Sequence, residues 1–314
     1  MRTAKSFTKI ASNKKSGCSA CLSANYRALG LKHNYELLQC LHFNTIFTRN
    51  QIASEAVTAL YDHYYDGARF EIPQIVMRSL ERTVLSFEPY RSSNRLLDIG
   101  FGEGGLLRIA QEFGWECFGT EISPQALSYG QQQGWVVSDQ AMYDTHFVAQ
   151  GFDVVTMIEL LEHVQNPHQL LRMAAKLLRP GGVLYLTTPN ANSLNRRLLG
   201  LKWSVISPPE HLTIWTVQGL RLALSRTGFQ LQRTRTEGLN PVEILAQWQA
   251  PKNETVEVNR NQTGAALNDT FSSNAFRRSI KTSINHCLST FRIGDSLKIQ
   301  AIRKQGLPTQ DETN

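Results

Sequence analysis

The chain lacks the marks of a membrane or secreted protein. Nowhere in its 314 residues does an apolar run approach the ~20 residues that a membrane-spanning helix needs. Cysteine is sparse. The odd total of five, Cys18, Cys21, Cys40, Cys117 and Cys287, is not a disulfide framework and points to a reducing, cytoplasmic compartment. No internal repeat is present. Acidic residues are nearly absent from the first 50 positions, where eight basic residues face the single acid Glu36, while the remaining chain carries 25 of each sign. The net charge of +7 therefore belongs to the N-terminal segment. Such a stretch is either a solvated terminus or an approach to RNA, an anionic membrane surface or an acidic polymer. Residues 1–16 share the basic, hydroxyl-rich, acid-free composition of a transit peptide but not its amphipathic stripe.

What is present begins with Leu97-Asp98-Ile99-Gly100-Phe101-Gly102-Glu103-Gly104-Gly105 and Gly119-Thr120-Glu121. Leu96 to Ile99 is a short apolar run, as expected of a strand buried on both faces. The glycines after it let the backbone turn tightly and approach a ligand closely. Leu106 to Phe113 reads as a helix, and Cys117 to Gly119 as a second strand. Glu121 at its end is placed to accept bonds from two ribose hydroxyls. Gly100, Gly102 and Gly105 also fit the dinucleotide pattern G-x-G-x-x-G, so this stretch by itself implies only a nucleoside-bearing cofactor.

Downstream, Phe152-Asp153-Val154-Val155-Thr156-Met157 reads as a central strand and Gly182 to Thr188 as another, introduced by Leu178-Arg179-Pro180-Gly181-Gly182. Between them Leu170, Leu171, Ala174, Leu177 and Leu178 recur at helical spacing. With these motifs in this order, residues 94–236 resemble the class I S-adenosylmethionine-dependent methyltransferases, in the branch with an L-E-H-V element after the fourth strand. The resemblance implies an α/β fold: a Rossmann-like doubly wound sheet, mostly parallel with an antiparallel last strand. It also implies that Asp98, Gly100, Gly102, Gly104 and Glu121 bind S-adenosylmethionine, and it sets Asp139 against the adenine amino group. Asp139 is otherwise a loop-capping residue.

The chemistry is expected in Glu159-Leu160-Leu161-Glu162-His163. If Glu159 begins a helical turn, Glu162 and His163 fall at i+3 and i+4 and share a face. His211, in Pro208-Pro209-Glu210-His211, lies in a loop that can return over the same site. These residues hold Mg²⁺ or a similar ion, or His163 acts alone as general base, or Glu162 caps the following helix while His163 covers the cofactor. The ion reading resembles metal-dependent O-methyltransferases acting on catechols or terminal ribose hydroxyls.

The N-terminal segment, residues 1–50, contains Cys18-Ser19-Ala20-Cys21 and Cys40. It looks like a degenerate form of the zinc ribbon that precedes the catalytic domain in some bacterial methyltransferases, including ones encoded with surface-polysaccharide genes. Phe43 stands where the fourth thiolate belongs. Cys18, Cys21 and Cys40 thus either hold a structural Zn²⁺ with His42 or His33, or keep the shape of the element without metal. Residues 51–93 read as helices over the cofactor cleft, which would bring Tyr61, Tyr64 or Tyr65 near the ligand. Residues 237–294 read as a helical and flexible insertion, with helices at Pro241 to Gln249 and Phe276 to Phe291, the second covering the substrate mouth or making a dimer contact. Residues 295–314 supply the last strand, from Ser296, and a tail.

Three functions follow from this reading. The first is O-methylation of a small molecule or saccharide. The second is an RNA-directed methyltransferase using the basic segment. Against it, no N-P-P-Y-type sequence for a flipped base follows the fourth strand, where Met157-Ile158-Glu159-Leu160 stands. The third is a non-catalytic, cofactor-binding partner subunit.

Overall fold

The computed structural model describes residues 17–49, 74–139, 147, 149, 151–250 and 275–305. Its centre is a seven-stranded sheet in the order β10-β11-β8-β7-β4-β5-β6. These strands are β4 (Arg95–Ile99), β5 (Glu116–Thr120), β6 (Val136–Ser138), β7 (Phe152–Ile158), β8 (Leu178–Pro189), β10 (Phe229–Glu237) and β11 (Ser296–Arg303). The five from β8 to β6 run parallel, and β11 is antiparallel to both of its neighbours. This is the Rossmann-like methyltransferase sheet expected from the motifs.

Alternation within β4 shows how the sheet is buried. Leu97 and Ile99 enter one apolar cluster and Leu96 the cluster on the opposite face, and all three are fully buried. The first face is covered by α4 (Pro167–Leu177) and α6 (Val217–Arg226). The second is covered by α1 (Gln74–Leu85), α2 (Gly105–Glu112) and α3 (Pro124–Gln132). Local chemistry sets the helix starts: Ser123 Oγ accepts the Ala126 N–H at 3.4 Å, and Thr216 Oγ1 accepts the Gly219 N–H at 3.1 Å. The β8 strand begins earlier than the expected Gly182. Phe152 pairs with Leu178 and Val154 with Val183, so the residues between them, with Gly181 at φ +77°, loop out as a bulge.

A second sheet was not legible in the sequence. β1 (Tyr26–Lys32), β2 (Tyr35–Cys40) and β3 (Ile46–Thr48) form an antiparallel meander, and β9 (Thr213–Ile214) adds to its edge. The N-terminal ribbon is therefore fused to the core. Cys18, Ala20, Leu38, Cys40 and Phe47 belong to the same buried cluster as β4, β7 and α6. Its opposite side packs Leu37 and Ile46 against Trp203, Val205, Ile206 and Ile244, from the loop before β9 and from α7 (Pro241–Gln249). α5 (Leu194–Leu199) packs on α7. α8 (Ala275–Thr290) is tied to the end of β10, where Thr236 Oγ1 donates to the Leu288 carbonyl at 2.7 Å. Tyr61, Tyr64, Tyr65 and the part of the expected helical region 51–93 that precedes residue 74 lie outside the described residues, as does the stretch 251–274. Among the described residues no helix is long and apolar enough to cross a membrane.

Candidate active site

The carboxyl ends of β4 and β5 carry the first half of the site. Gly100, Gly102 and Gly104 all sit at positive φ, +71°, +55° and +72°. At Gly104 a Cβ would also come 2.5 Å from the Trp135 ring, so glycine here serves both the turn and the packing beneath it. Glu121 ties the loop to β5: one carboxylate oxygen accepts the Gly102 N–H at 3.0 Å, the other the Ile122 N–H at 2.7 Å. Asp98 is buried, with Oδ1 accepting from Thr156 Oγ1 at 2.6 Å. Burial, reinforced by the Glu121 charge and opposed by that hydrogen bond, pushes its carboxyl up to about 7. Asp139 is exposed at the end of β6.

The second half lies beyond β7. Glu159 does not open a helix: it has left-handed φ, +48°, and is exposed, with Oε1 accepting from Ser296 Oγ at 3.3 Å. The turn starts one residue later, closed by the His163 N–H on the Leu160 carbonyl at 3.0 Å. Of the four expected residues, three converge. Ligand atoms of Glu162, His163 and His211 all lie within 4.8 Å of one another. Glu159 stays outside this group and contributes its charge beside Glu162.

Backbone carbonyls aim both imidazoles. His163 Nδ1 donates to the Glu210 carbonyl at 2.9 Å and His211 Nδ1 to the Val205 carbonyl at 2.6 Å. A carbonyl only accepts, so Nδ1 holds the proton and Nε2 the lone pair in each neutral ring. The rings meet edge to face at 4.7 Å. Burial, then the neighbouring His211, lowers His163 to about 4, which keeps it neutral. Glu162 is fully buried, its Oε2 accepting from Thr188 Oγ1 at 2.9 Å while Oε1 sits 3.8 Å from His163 Nε2 without a hydrogen bond. Burial and the Glu159 carboxylate push the Glu162 carboxyl well up from its ordinary range.

A family model described as a methyltransferase domain matches residues 68–234. The chain belongs to this methyltransferase-domain family. The ubiquinone biosynthesis O-methyltransferase of Idiomarina loihiensis is 30% identical over 172 residues, 52% of this chain and 63% of that protein. That of Xanthomonas oryzae pv. oryzae is 29% identical over 151 residues, 45% of this chain and 62% of that protein. The chain thus spans about three fifths of the length of these relatives. Among solved structures, a chain of the complex between the Haloferax volcanii Trm112 methyltransferase activator and a methyltransferase superposes with TM-score 0.52 at 15% identity, covering 81% of this chain and 99% of that one. This likeness concerns the fold.

In this methyltransferase domain the loop to His211 is held from the ribbon. Lys32 Nζ donates to the carbonyls of Leu201 and Trp203 at 2.8 and 3.0 Å, and burial lowers its amine to about 8. His33 Nδ1 donates to the Pro208 carbonyl at 3.1 Å, the Thr48 N–H to the Leu212 carbonyl at 3.0 Å, and Ser19 Oγ meets Thr213 Oγ1 at 2.7 Å. His33 is thereby committed away from the cysteines. His42, with Nε2 3.3 Å from Asn25 Nδ2, also stays outside the Cys18, Cys21 and Cys40 cluster. Sequence reasoning missed Thr188 and the carbonyls of Glu210 and Val205. Thr188, next to the end of a buried strand, carried a positional signal, whereas the carbonyls carried none.

Proposed function

We propose that the chain is a class I S-adenosylmethionine-dependent methyltransferase that methylates a hydroxyl of a small molecule or saccharide. The observation that carries this reading is the His163 ring, neutral and oriented by its Nδ1 bond to Glu210, with Nε2 beside buried Glu162. The methyl of the cofactor is already activated. The protein has to align acceptor oxygen, methyl and sulfur and to take one proton from the hydroxyl. His163 Nε2 takes that proton, while the Glu210 carbonyl and the His211 ring hold the imidazole in place. The O-methyltransferase names of the relatives agree with a hydroxyl acceptor.

The left-handed glycine turn and the two carboxylates at adjacent strand ends fit an S-adenosyl cofactor. Asp98, Gly100, Gly102, Gly104 and Glu121 would bind it, with Asp139 at the adenine edge. A second reading comes from the Glu162 Oε1 atom, buried without a donor. Glu162, His163 and His211 would hold a divalent ion, whose chemistry is to lower the pKa of the acceptor hydroxyl. Two imidazole nitrogens suit a transition ion better than Mg²⁺, which prefers oxygen. Of the three described basic residues of the ribbon, Lys32 is spent on backbone carbonyls, Arg49 on Glu36 at 2.7 Å and exposed Arg27 on the Gln39 side chain, which favours a small acceptor over RNA.

Calorimetric titration with S-adenosylmethionine, with and without added metal, tests the cofactor site. Binding in the micromolar range that weakens about tenfold or more in Glu121→Ala is expected, since charge-assisted bonds contribute about 1.5–3 kcal/mol. Methyl transfer to a panel of hydroxylated acceptors then separates enzyme from silent subunit. Cofactor binding with no transfer to any of them sinks the catalytic reading.

A further inference from the structure

Ser204 and Val205, in the loop that leads to His211, connect a buried acid to an active-site imidazole. The Ser204 N–H donates to Glu243 Oε1 at 2.6 Å, and the Val205 carbonyl accepts from His211 Nδ1 at 2.6 Å. His211 in turn meets His163 edge to face. On the other side of Ser204, the Trp203 carbonyl accepts the Ile206 N–H at 3.1 Å and Lys32 Nζ at 3.0 Å, and the Leu201 carbonyl accepts Lys32 Nζ at 2.8 Å. Lys32 comes from β1 of the ribbon and Glu243 from α7, so the loop is held by elements remote from it in sequence.

Glu243 is set in place by its own helix. Asn240 starts α7, its Oδ1 accepting the Glu243 N–H at 3.2 Å, and the Asn240 carbonyl is held by Asn195 Nδ2 of α5 at 2.9 Å. An acid in a first helical turn ordinarily faces solvent, where it complements the helix dipole. Glu243 is instead fully buried, and its charge steadies the half-buried Lys32 ammonium against the cost of burial. Stability of the fold does not call for such a pair, because well-packed apolar residues of similar volume often do as well. Apolar side chains, however, cannot bond the backbone of Leu201, Trp203 and Ser204. Residues 203–212 form neither helix nor strand, so no ladder satisfies these groups beside the buried Trp203 and Val205.

We propose that Lys32 and Glu243 are positioning residues of the active site, which grip residues 201–204 from the ribbon and from α7 and so fix the Val205 carbonyl that aims His211 at His163. Neither touches the reacting atoms. The ribbon and the segment after β10 thereby bear on one imidazole, although neither contributes a side chain to the Glu162, His163 and His211 group. The orientation of His211 stands on this geometry alone, and only its effect on turnover rests on the function proposed above.

The full chain, with isotope-labelled histidine, is followed by proton–nitrogen NMR of the imidazole Nδ1–H groups, the His211 resonance being assigned by its loss in His211→Asn. Glu243→Leu removes the acceptor for Ser204, Glu243→Gln keeps an acceptor without the charge, and Lys32→Met releases the two carbonyls. The His211 Nδ1–H should exchange with solvent about tenfold faster or more in Glu243→Leu and Lys32→Met, and nearly as slowly as wild type in Glu243→Gln. In the same two variants kcat should fall about tenfold or more, while affinity for S-adenosylmethionine changes less than about twofold. Urea unfolding checks that each variant is folded, and Lys32→Met, at a half-buried position, carries the test if Glu243→Leu does not fold. An unchanged His211 resonance in a folded Lys32→Met or Glu243→Leu chain overturns the proposal, as does a kcat that falls only in step with cofactor affinity. A changed resonance with unchanged turnover upholds the positioning and counts instead against the catalytic role given to the histidines, so the two failures are separable.

Discussion

Leu212 donates its backbone N–H to the carbonyl oxygen of Glu162 over 2.8 Å, and Thr213 adds a second bond to the same oxygen at 3.1 Å. The turn that bears Glu162 and His163 is thus joined through backbone to the strand that follows His211. Thr213 is also the residue that Ser19 holds from the ribbon. Thr213→Val removes that buried side-chain bond while keeping the shape of the residue. Expected are a loss of about 1–2 kcal/mol in urea unfolding and a larger fall in kcat than in cofactor affinity. Equal loss of both would mean that the ribbon supports the fold without positioning the acceptor side.

His163→Ala should lower kcat about 10²–10⁴-fold, the usual contribution of a positioned general base. Affinity for S-adenosylmethionine should change less than about twofold, because in the proposed function the glycine loop, Asp98 and Glu121 bind the cofactor and His163 takes the acceptor proton. Single-turnover measurement with saturating cofactor is the check. A variant that keeps its turnover but loses the cofactor would move His163 from the chemistry to the covering of the ligand.

The sheet was legible because its signals are local. Apolar runs, glycine stops and the helix Pro241–Gln249 can be read without knowing what they pack against, and all fall within a few residues of the expected bounds. The site was legible as a set of residue types. Glu162, His163 and His211 could be named, but not the geometry that unites them. Glu159 misled because a helical turn places i, i+3 and i+4 together, and its left-handed backbone breaks that register. The second sheet left no pattern at all. β9 is two residues long and pairs with Ile46 and Phe47 over more than 160 residues of sequence, so neither period nor propensity could announce it.

If Asp98 binds the cofactor as proposed, it gives that site a pH dependence. Its folded-state pKa of about 7 lies above the unfolded value. The cofactor-free protein therefore binds more protons folded than unfolded, and this contribution to stability is fully present below the unfolded pKa and lost as pH rises through about 7. Binding of a cationic sulfonium runs the other way, since it favours the carboxylate. Calorimetry should find affinity rising by up to about tenfold between about pH 6 and pH 8, with the slope abolished in Asp98→Asn. A wild-type affinity independent of pH would show that Asp98 is already ionised in the free protein.

Asp153 and Arg179 carry the opposite sign. Arg179 Nε donates to Asp153 Oδ1 at 2.5 Å, while Oδ2 accepts the N–H groups of Ser92 and Asn94, both at 2.8 Å. Burial alone would raise the carboxyl, but these donors hold it below its ordinary value. The stability it contributes is thus present above the unfolded pKa and is lost as pH falls through the folded one. Because Asp153 is fully buried, Arg179→Ala strands a charge at the start of β7 and should cost about 3 kcal/mol. It should also move the acid unfolding midpoint upward. Lys298→Ala, which breaks a 2.8 Å pair with Glu237 at the partly exposed end of the same sheet, should cost no more than about 1 kcal/mol. Urea unfolding of both variants at neutral and acidic pH decides the matter: equal losses would mean that Arg179 acts as an ordinary surface partner and that the backbone donors alone satisfy Asp153.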